Sequence, residues 1–255
     1  MFLEERRSFI LEQLQQQGRV SVKELSDFLH VSAVTIRQDL QALEGEGLLK
    51  RTYGGAVQPQ IMFSQSEKSF ETRRRKNPHE KAAIARAAAA LAKDGYGIAL
   101  DASTTAFAMT PYLRQMENLV IVTNSLIIAQ QFIDCPSIEV FLPAGKFRSD
   151  SVSLVGRPET LPPVNFNVGF FGAHGVTLDM GLGEMSQEEA ALKQALIANC
   201  VKTVILVDST KWGQVAPYTF ARPQEVDVII TTEKAPKVML KVFRDSAIPV
   251  EAVKL

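Results

Sequence analysis

The spacing of apolar residues changes along the chain and divides it into two parts. Up to residue 57, apolar positions recur every three or four residues, as in amphipathic helices, whereas from about residue 80 short apolar runs alternate with helical segments. The stretch between them is polar and charged, which is typical of a linker with at most one helical turn. We therefore predict a first domain over residues 1–57, a linker over 58–76 and a second domain over 77–255.

The first part has the pattern of a winged helix-turn-helix. One helix is predicted over residues 3–17, a second after Ser21, and a third that begins after Ser32 and ends near Gly47, with both serines as N-caps. The segment "LLKRTYGGAV" that follows is typical of two strands joined by a Gly-Gly turn. The three helices, the tight turn between the second and third, and the hairpin together make a winged helix-turn-helix, which is a mainly α-helical fold. The predicted buried residues of the first two helices are Leu3, Ile10, Leu14, Leu25, Phe28 and Leu29.

The third helix, preceded by its cap in "VSAVTIRQDLQAL", has an apolar face and a polar face. An advance of about 100° per residue places Ile36, Leu40 and Leu43 together and Gln38 near the centre of the opposite face. In a major groove glutamine pairs with adenine and arginine with guanine, while hydroxyls hold phosphates. The alternative is an ordinary solvated face, but the preceding capped helix and the following hairpin favour DNA contact. The residues that this pattern predicts to contact DNA are Ser32, Val34, Thr35, Arg37, Gln38, Gln41, Lys50 and Arg51.

Charge restricts where DNA can be held. The whole chain has 28 basic and 28 acidic side chains, and residues 1–57 have seven basic and eight acidic ones. Because DNA affinity depends on neutralising phosphates, the useful basic residues must be concentrated on the third helix and the wing. The basic run at 73–76 in the linker either adds to them or is solvated surface.

Other residue types point away from metal, disulfide and membrane. Cys135 and Cys200 lie far apart and outside any metal-ligand spacing, so we expect buried thiols in a reducing compartment. The chain shows no signal-peptide pattern and no apolar run near the ~18 residues that span a bilayer. We expect a cytoplasmic protein without a metal, a cofactor or a membrane contact.

The second part predicts an α/β domain with a largely parallel, twisted sheet. Continuous apolar runs are typical of strands that are covered on both faces. Helical segments separate many of them, the clearest being "NPHEKAAIARAAAALAKDG" and "SQEEAALKQALIANC". The predicted strands are "YGIALD", "NLVIVTN", "SIEVFLPAG", "VNFNVGFFGA", "VKTVILVD" and "EVDVIITT".

Polar residues collect where these strands end. In open α/β sheets ligands bind beyond the carboxyl ends of the strands, and lysines and helix-initiating serines or threonines are natural phosphate ligands. One such loop is often only a turn, but five together favour one polar pocket. The i,i+4 pair Glu189 and Lys193 either faces this pocket or is a surface ion pair, and no partner supports a catalytic or metal-binding His174. The predicted ligand-binding residues are Asp101, Ser103, Thr104, Thr105, Thr123, Asn124, Ser125, Gly145, Lys146, Glu189, Lys193, Asp208 and Lys211.

The stretch "VSAVTIRQDLQALEGEGLLKRTYGGA" resembles the DeoR family of bacterial transcriptional regulators. The family pattern is V-S-x-x-T-[IV]-R-R-D-L, followed after a helix by R-x-[HY]-G-G-A. Gln38 departs from it, because the family most often has a second arginine there. The resemblance adds Tyr53, Gly54 and Gly55 of the wing to the predicted DNA contacts.

The resemblance continues through the second domain and covers almost the whole chain. Family motifs correspond to residues 101–105 (D-x-G-[ST]-T), 123–125 (T-N-[SN]) and 208–213 (D-x-[ST]-K-[FW]-G), and the E-x-x-x-K motif corresponds to Glu189 and Lys193. There are two departures in this domain. They are Ser103 in place of a glycine, and Pro143-Ala144-Gly145 where many members have a Gly-Gly pair.

The resemblance implies a function as well as a fold. The family's second domain is similar to ribose-5-phosphate isomerase and binds phosphorylated sugars, and its members act as homo-oligomers, dimers or tetramers, on operator DNA. We therefore predict a regulator, most readily a repressor, of a carbohydrate-utilisation operon, with an activator left open. The alternative is an isomerase-like enzyme with an appended DNA-binding domain, in which Asp101, Glu189 and Lys193 supply acid–base chemistry.

Overall fold

The computed structural model describes residues 2–45, 48–57 and 69–255. The chain forms two compact units, one of residues 1–63 with 236–242 and the other of residues 64–235 with 243–255. Within the described ranges, no helix is long and apolar enough to cross a membrane. Residues 58–68 of the predicted linker lie outside the described residues, and the rest of it contains a helix at Phe70–Arg75.

The first unit has the predicted winged helix-turn-helix fold. Its elements up to residue 57 are α1 (Leu3–Gln17), β1 (Arg19–Ser21), α2 (Val22–Leu29), α3 (Ala33–Gly45), β2 (Lys50–Thr52) and β3 (Gly55–Val57). The strands form an antiparallel sheet in the order β1-β3-β2. The sequence pattern does not predict β1, which is three residues long, and the predicted end of α3 near Gly47 lies outside the described residues.

Local signals explain where the helices begin and end. Gly18 closes α1 in the left-handed conformation, with φ 72°. Ser32 caps α3, because its Oγ accepts a hydrogen bond from the backbone N–H of Thr35 at 3.1 Å. Ser21 lies at the predicted N-cap position of α2, but the side-chain hydrogen bond expected of a cap is not formed. The backbone N–H of Val22 instead donates to the carbonyl of Gly54 at 2.8 Å, which ties α2 to the wing.

The core of the first unit follows the helical period with two exceptions. Ile10, Leu14, Ile36, Leu40 and Leu43 are buried along with Leu25 and Leu29, as predicted. Leu3 is 50% exposed because it lies in the first turn of α1, and Phe28 is 68% exposed. The ring of Phe28 stacks on Phe9 with centroids 5.0 Å apart. Both predictions of burial are therefore wrong, and Val22 fills the core position on α2.

The wing turns one residue earlier than the Gly-Gly pattern predicts. The turn residues are Tyr53 and Gly54, and Gly55 begins β3. Gly55 is required by a close approach of two strands, because a Cβ at this position would lie 1.8 Å from the carbonyl oxygen of Val20. The glycine pair thus has two separate tasks, a turn at Gly54 and strand packing at Gly55.

A buried ion pair joins α1 to α3. Asp39 is 1% exposed, and its carboxylate accepts hydrogen bonds from Nε of Arg6 at 2.5 Å and from Nε of Arg7 at 3.2 Å. Asp39 lies on the inner side of α3 with Ile36 and Leu40. The ion pair therefore fixes the rotation of α3, and so the choice of residues on its outer face.

The second unit has the predicted α/β architecture. Its helices are α4 (Phe70–Arg75), α5 (Pro78–Ala89), α6 (Thr104–Phe107), α7 (Thr110–Leu113), α8 (Leu126–Gln130) and α9 (Gln187–Ile197). A further helix, α10 (Lys237–Asp245), has its residues up to 242 in the first unit and the rest in the second. The strands are β4 (Gly97–Leu100), β5 (Val120–Thr123), β6 (Glu139–Phe141), β7 (Lys146–Arg148), β8 (Ser153–Val155), β9 (Val168–Gly172), β10 (Gly175–Thr177), β11 (Gly181–Glu184), β12 (Thr203–Leu206), β13 (Tyr218–Ala221), β14 (Val228–Thr232) and β15 (Val250–Val253).

The main sheet is parallel throughout, in the order β15-β14-β12-β9-β4-β5-β6. All six predicted strands belong to it, and β15 is an unpredicted edge strand. An antiparallel sheet β10-β11-β13 and the hairpin β7–β8 are also unpredicted. The strand order reverses between β4 and β9, and ligands bind at such a switch point in open α/β sheets.

We expect Asp39→Ala to destabilise the first unit by about 3–5 kcal/mol, because it leaves the buried guanidinium of Arg6 without its carboxylate. Thermal unfolding of the full chain, followed by circular dichroism, should show a lowered transition. Asp27→Ala is the matched control, since it removes an exposed carboxylate from α2. Equal unfolding of Asp39→Ala and the wild type would contradict the importance of this ion pair.

Candidate functional site

The outer face of α3 is solvent-accessible, as a DNA-reading surface must be. Val34 is 58% exposed, and Arg37, Gln38 and Gln41 are also exposed. The two hydroxyls at the start of the helix are already engaged with each other, since Ser32 Oγ and Thr35 Oγ1 lie 2.9 Å apart. These two residues therefore shape the helix start, whether or not they also meet a phosphate.

The wing presents most of its predicted residues to solvent. Lys50, Arg51, Tyr53 and Gly54 are exposed, whereas Gly55 is buried against β1. The backbone N–H of Arg51 donates to a carboxylate oxygen of Glu44 on α3 at 2.9 Å, which holds the wing to the helix. Gly55 is thus placed for packing and not for surface contact.

A cavity in the second unit, which we call the strand-end pocket, lies where β4, β5, β9 and β12 end. The backbone N–H of Gly172, at the end of β9, donates to Oδ2 of Asp101, just after β4, at 2.7 Å. The pocket therefore lies at the point where the strand order reverses. The predicted residues that line it are Asp101, Ser103, Thr104, Thr105, Asn124, Glu189, Lys193, Asp208 and Lys211.

Four predicted ligand-binding residues are absent from this lining. Thr123 and Ser125 are fully buried and serve the turn into α8, where Ser125 Oγ caps the backbone N–H of Ile128 at 3.2 Å. Gly145 packs against β8, because a Cβ there would lie 2.3 Å from the carbonyl oxygen of Val155. Lys146 is exposed on β7. The departure from the family at Pro143-Ala144 therefore falls outside the pocket lining.

The lining includes charged residues that the sequence analysis did not assign to the pocket. Arg73 and Lys76 were expected in a linker, Lys81 lies within an Ala-rich helix, and Glu184 ends a short unpredicted strand. We call the four basic side chains Arg73, Lys76, Lys81 and Lys211 the cationic group. The sequence offers one signal for Lys81, which is the single lysine of the Ala-rich helix α5 and directly precedes the apolar stretch 82–85.

Charge crowding perturbs the cationic group. Lys81 Nζ donates to the carbonyls of Arg73, at 2.5 Å, and of Lys76. The pKa of Lys81 is lowered to about 8, mainly by burial; Asp208 acts against this shift, and the positive charges of Lys211, Arg73 and Lys76 add to it. Burial likewise lowers the pKa of Lys211. An anion placed among these side chains would relieve the crowding.

The loop that carries Lys211 is held by two carboxylates. Asp208 Oδ1 accepts hydrogen bonds from the backbone N–H of Thr210 at 2.9 Å and from Asn77 Nδ2 at 3.2 Å. Burial alone would raise the pKa of Asp208, but the Thr210 hydroxyl and Lys211 lower it. The carboxylate of Glu80 on α5 accepts from Ser209, through both its N–H and its hydroxyl, and from the hydroxyl of Thr232. Lys211 is thus presented by a rigid turn.

Lys193 forms the centre of the opposite part of the pocket. Its buried amine lies 2.8 Å from Asp101 Oδ2 and 2.5 Å from Glu184 Oε2, and it donates to the carbonyl of Gly172 at 2.8 Å. Burial alone would lower the pKa of Lys193, but Asp101 and Glu184 raise it. The other oxygen of Glu184 lies 2.5 Å from Nδ1 of His174. His174 therefore has a carboxylate partner that the sequence did not reveal.

Glu189 does not pair with Lys193 as the i,i+4 spacing suggests. Its Oε1 accepts a hydrogen bond from Ser153 Oγ at 3.1 Å. Burial and the nearby charge of Glu184 raise the pKa of Glu189. It faces the pocket as a carboxyl group that resists ionisation.

Ser103, which stands where the family pattern has a glycine, lies between β4 and α6. Its Oγ accepts a hydrogen bond from the backbone N–H of Ala106 at 3.1 Å and so caps α6. A Cβ at Gly172 would lie 2.5 Å from the Cβ of Ser103. The serine side chain therefore fits because its neighbour across the pocket is glycine.

The comparisons with known proteins agree with both halves of this description. The family model for the DeoR-like helix-turn-helix domain matches residues 6–61, and that for the DeoR C-terminal sensor domain matches residues 76–233. Among solved structures, ribose 5-phosphate isomerase A from Methanocaldococcus jannaschii is similar over 54% of this chain and 55% of that chain, with 19% identity and a TM-score of 0.41.

Curated relatives match along nearly the whole chain. The HTH-type transcriptional regulator GolR of Listeria innocua serovar 6a is 36% identical over 98% of this chain and 99% of its own. The putative aga operon transcriptional repressor of Escherichia coli O157:H7 is 30% identical over 96% and 92%. The glycerol-3-phosphate regulon repressor of Escherichia coli K12 is 30% identical over 97% and 98%. These relatives are named as regulators and not as enzymes, and the chain belongs to the DeoR family of helix-turn-helix transcriptional regulators.

Proposed function

We propose that this regulator represses a carbohydrate-utilisation operon in the cytoplasm, and that a phosphorylated sugar in the strand-end pocket controls its operator binding. The observation that carries the proposal is the cationic group, four basic side chains that line one pocket at the strand ends. Helix and wing supply the DNA contacts, and the pocket supplies the effector contacts.

Phosphate is the ligand group that best suits the cationic group. The pKa of Lys81 is lowered to about 8 because the amine is buried among other cations. A dianionic phosphate would compensate this charge, and lysines hold phosphate as point charges. The names of two relatives, a glycerol-3-phosphate regulon repressor and an aga operon repressor, support a phosphorylated carbohydrate.

We infer that more than one copy of the chain binds the operator. The residues 1–57 carry a net charge of −1 by count, seven basic against eight acidic side chains. A homodimer or homotetramer would double the phosphate contacts and set the spacing of the half-sites. The effector changes operator affinity if it binds the DNA-bound and free states with different affinity, and we infer that it weakens the repressor–operator complex.

A direct test uses the full chain and the DNA upstream of its own gene. Fluorescence anisotropy should show specific binding that one member of a panel of pentose, hexose and triose phosphates weakens. The corresponding unphosphorylated sugars are the controls and should have no effect. Specific DNA binding that no sugar phosphate alters would overturn the effector part of the proposal.

We expect Gln38→Ala to cost about 1–3 kcal/mol on the cognate operator and to relax specificity at one base pair, because the side chain is exposed at the centre of the α3 face. Competition with operators substituted at single positions measures both effects. Gln17→Ala, an exposed glutamine at the end of α1, is the matched control. An equal loss on random DNA would assign Gln38 to phosphate contact instead.

We expect Lys211→Ala to leave operator binding intact and to abolish the effector response, since Lys211 belongs to the cationic group. Lys146→Ala is the matched control, because the structure places this exposed lysine outside the pocket lining. The measurement is operator anisotropy with increasing sugar phosphate. If Lys211→Ala still responds at wild-type concentrations, the phosphate does not bind at Lys211.

We expect effector affinity to fall as the pH rises above about 8. The free protein holds a charged Lys81 below its pKa of about 8, and a bound phosphate favours the charged form. Affinity is therefore constant below that pH and decreases above it until the higher pKa of the complex is passed. Calorimetric titrations from pH 7 to 9.5 measure this, and Lys81→Arg should flatten the profile. A steep fall that persists in Lys81→Arg would point to another group.

A further inference from the structure

The part of the strand-end pocket that surrounds Lys193 is rich in carboxyl groups. Three of them, Asp101, Glu184 and Glu189, line the pocket together with this single amine, and we call them the carboxylate group. Lys81 and Lys211 of the cationic group interact with Asp208, because burial lowers the pKa of both amines while the charge of Asp208 raises it. The pocket therefore has two chemically different ends.

Lys193 has no spare hydrogen-bond donor for a ligand. An ammonium group has three N–H donors, and those of Lys193 point to Asp101 Oδ2, Glu184 Oε2 and the carbonyl of Gly172 at 2.8, 2.5 and 2.8 Å. A ligand carboxylate could bind this amine only by displacing a carboxylate of the protein. The positive charge of Lys193 thus neutralises carboxylates of the protein, and none of its N–H donors remains for the ligand.

Glu184 is held in its charged form beside the pocket. Its Oε1 lies 2.5 Å from His174 Nδ1 and accepts a hydrogen bond from the backbone N–H of Met185 at 2.8 Å. Burial alone would raise the pKa of Glu184, but His174 and Lys193 keep it well below its ordinary value. Nδ1 of His174 is directed at Glu184, so Nε2 is the ring nitrogen that can form a hydrogen bond with a ligand hydroxyl.

The pKa of Glu189 shows how the surroundings of Lys193 and Glu184 act on a further carboxyl group. Burial and the charge of Glu184 raise its pKa, although Lys193 and Arg148 act in the opposite direction. Arg148 is itself paired with Asp150 at 2.6 Å. A carboxylate brought in by a ligand would meet the same like-charge repulsion and desolvation, whereas a ligand hydroxyl adds no charge.

We propose that the carboxylate group and His174 bind the uncharged, hydroxylated end of the effector and discriminate against phosphorylated sugar acids. The inference rests on the proposed function, because it places the phosphate at the cationic group. Hydroxyls donate and accept, so they suit the Glu184 carboxylate, a ring nitrogen of His174 and the Glu189 carboxyl group, while a ligand carboxylate only accepts and adds negative charge beside Asp101 and Glu184. Glu184 and His174 are then specificity-determining residues.

Matched pairs of ligands test this by isothermal titration calorimetry on the full chain at pH 7. The pairs are glucose 6-phosphate with 6-phosphogluconate, and ribose 5-phosphate with 5-phosphoribonate, and inorganic phosphate reports on the cationic group alone. Wherever the neutral sugar phosphate of a pair binds, the corresponding sugar acid should have a Kd at least about tenfold higher, a difference in binding free energy of about 1.4 kcal/mol. A sugar acid that binds as tightly as its neutral partner overturns the inference and leaves the proposed function standing.

Variants assign the discrimination to residues. Glu184→Gln removes the charge with little change of shape and should reduce the neutral-to-acid ratio by about tenfold, whereas Glu188→Gln changes an exposed glutamate and should keep the wild-type ratio. An unchanged ratio in Glu184→Gln overturns its role.

His174→Gln is a second variant, which keeps the inference testable if Glu184→Gln does not fold. It should weaken the neutral sugar phosphate about tenfold and leave inorganic phosphate unaffected. An unaffected sugar phosphate overturns the role of His174. If no phosphate binds to the wild type, inorganic phosphate included, the proposed function itself fails.

Discussion

The buried amine of Lys193 is the contact on which the strand-end pocket depends. From α9 it reaches Asp101 after β4, Glu184 at the end of β11 and the carbonyl of Gly172 at the end of β9. A buried charge is costly unless its pairing and hydrogen bonding are complete. Any movement of one partner leaves an unsatisfied charge, so the three segments are fixed relative to one another and the pocket keeps its shape.

The same contact decides which side chains remain for a ligand. Because Asp101 and Glu184 raise the pKa of Lys193, the amine stays protonated and cannot act as a base. Its donors are directed at the protein. The proposed phosphate site is therefore the cationic group, in which burial lowers the pKa of Lys81 and of Lys211. At one end of the pocket the charge of Lys193 is balanced by Asp101 and Glu184, while the other end has the four basic side chains of the cationic group.

The sequence predicted the layers of both units, since these depend on local periodicity. Apolar runs located six strands of the main sheet, and the spacing of Ile36, Leu40 and Leu43 located the inner face of α3. Periodicity failed where an apolar residue lies at an element's edge, as at Leu3 and Phe28. The strands β1 (RVS), β10 (GVT) and β11 (GLGE) were not predicted because none of them contains an apolar run.

The site was predicted less completely, because its charged contacts join residues far apart in sequence. Helical spacing allowed Glu189 and Lys193 to face the pocket or to form a surface ion pair, and both line the pocket, with Glu189 bonded to Ser153 and Lys193 to Asp101. Asp101, Asp208 and Lys211 were correctly predicted to line the pocket from their positions after strands, because parallel strands bring their carboxyl ends to one edge of the sheet. The same rule cannot supply Arg73 or Lys81, which come from helices packed above that edge.

Both units use a buried ion pair where an apolar contact would be at least as stabilising. Asp39 with Arg6 and Lys193 with Asp101 each exclude water from charges, and replacing such pairs by apolar residues is often neutral or stabilising. An ion pair with hydrogen bonds restricts the orientation of the two elements that it joins, because these hydrogen bonds weaken when either element rotates. Rotation of α3 by one residue, about 100°, would turn Gln38 away from the outer face. A shift of Asp101 would likewise change where the carboxylate group meets a ligand. The position of the two buried ion pairs thus matters to the function as much as the residues that touch DNA or effector.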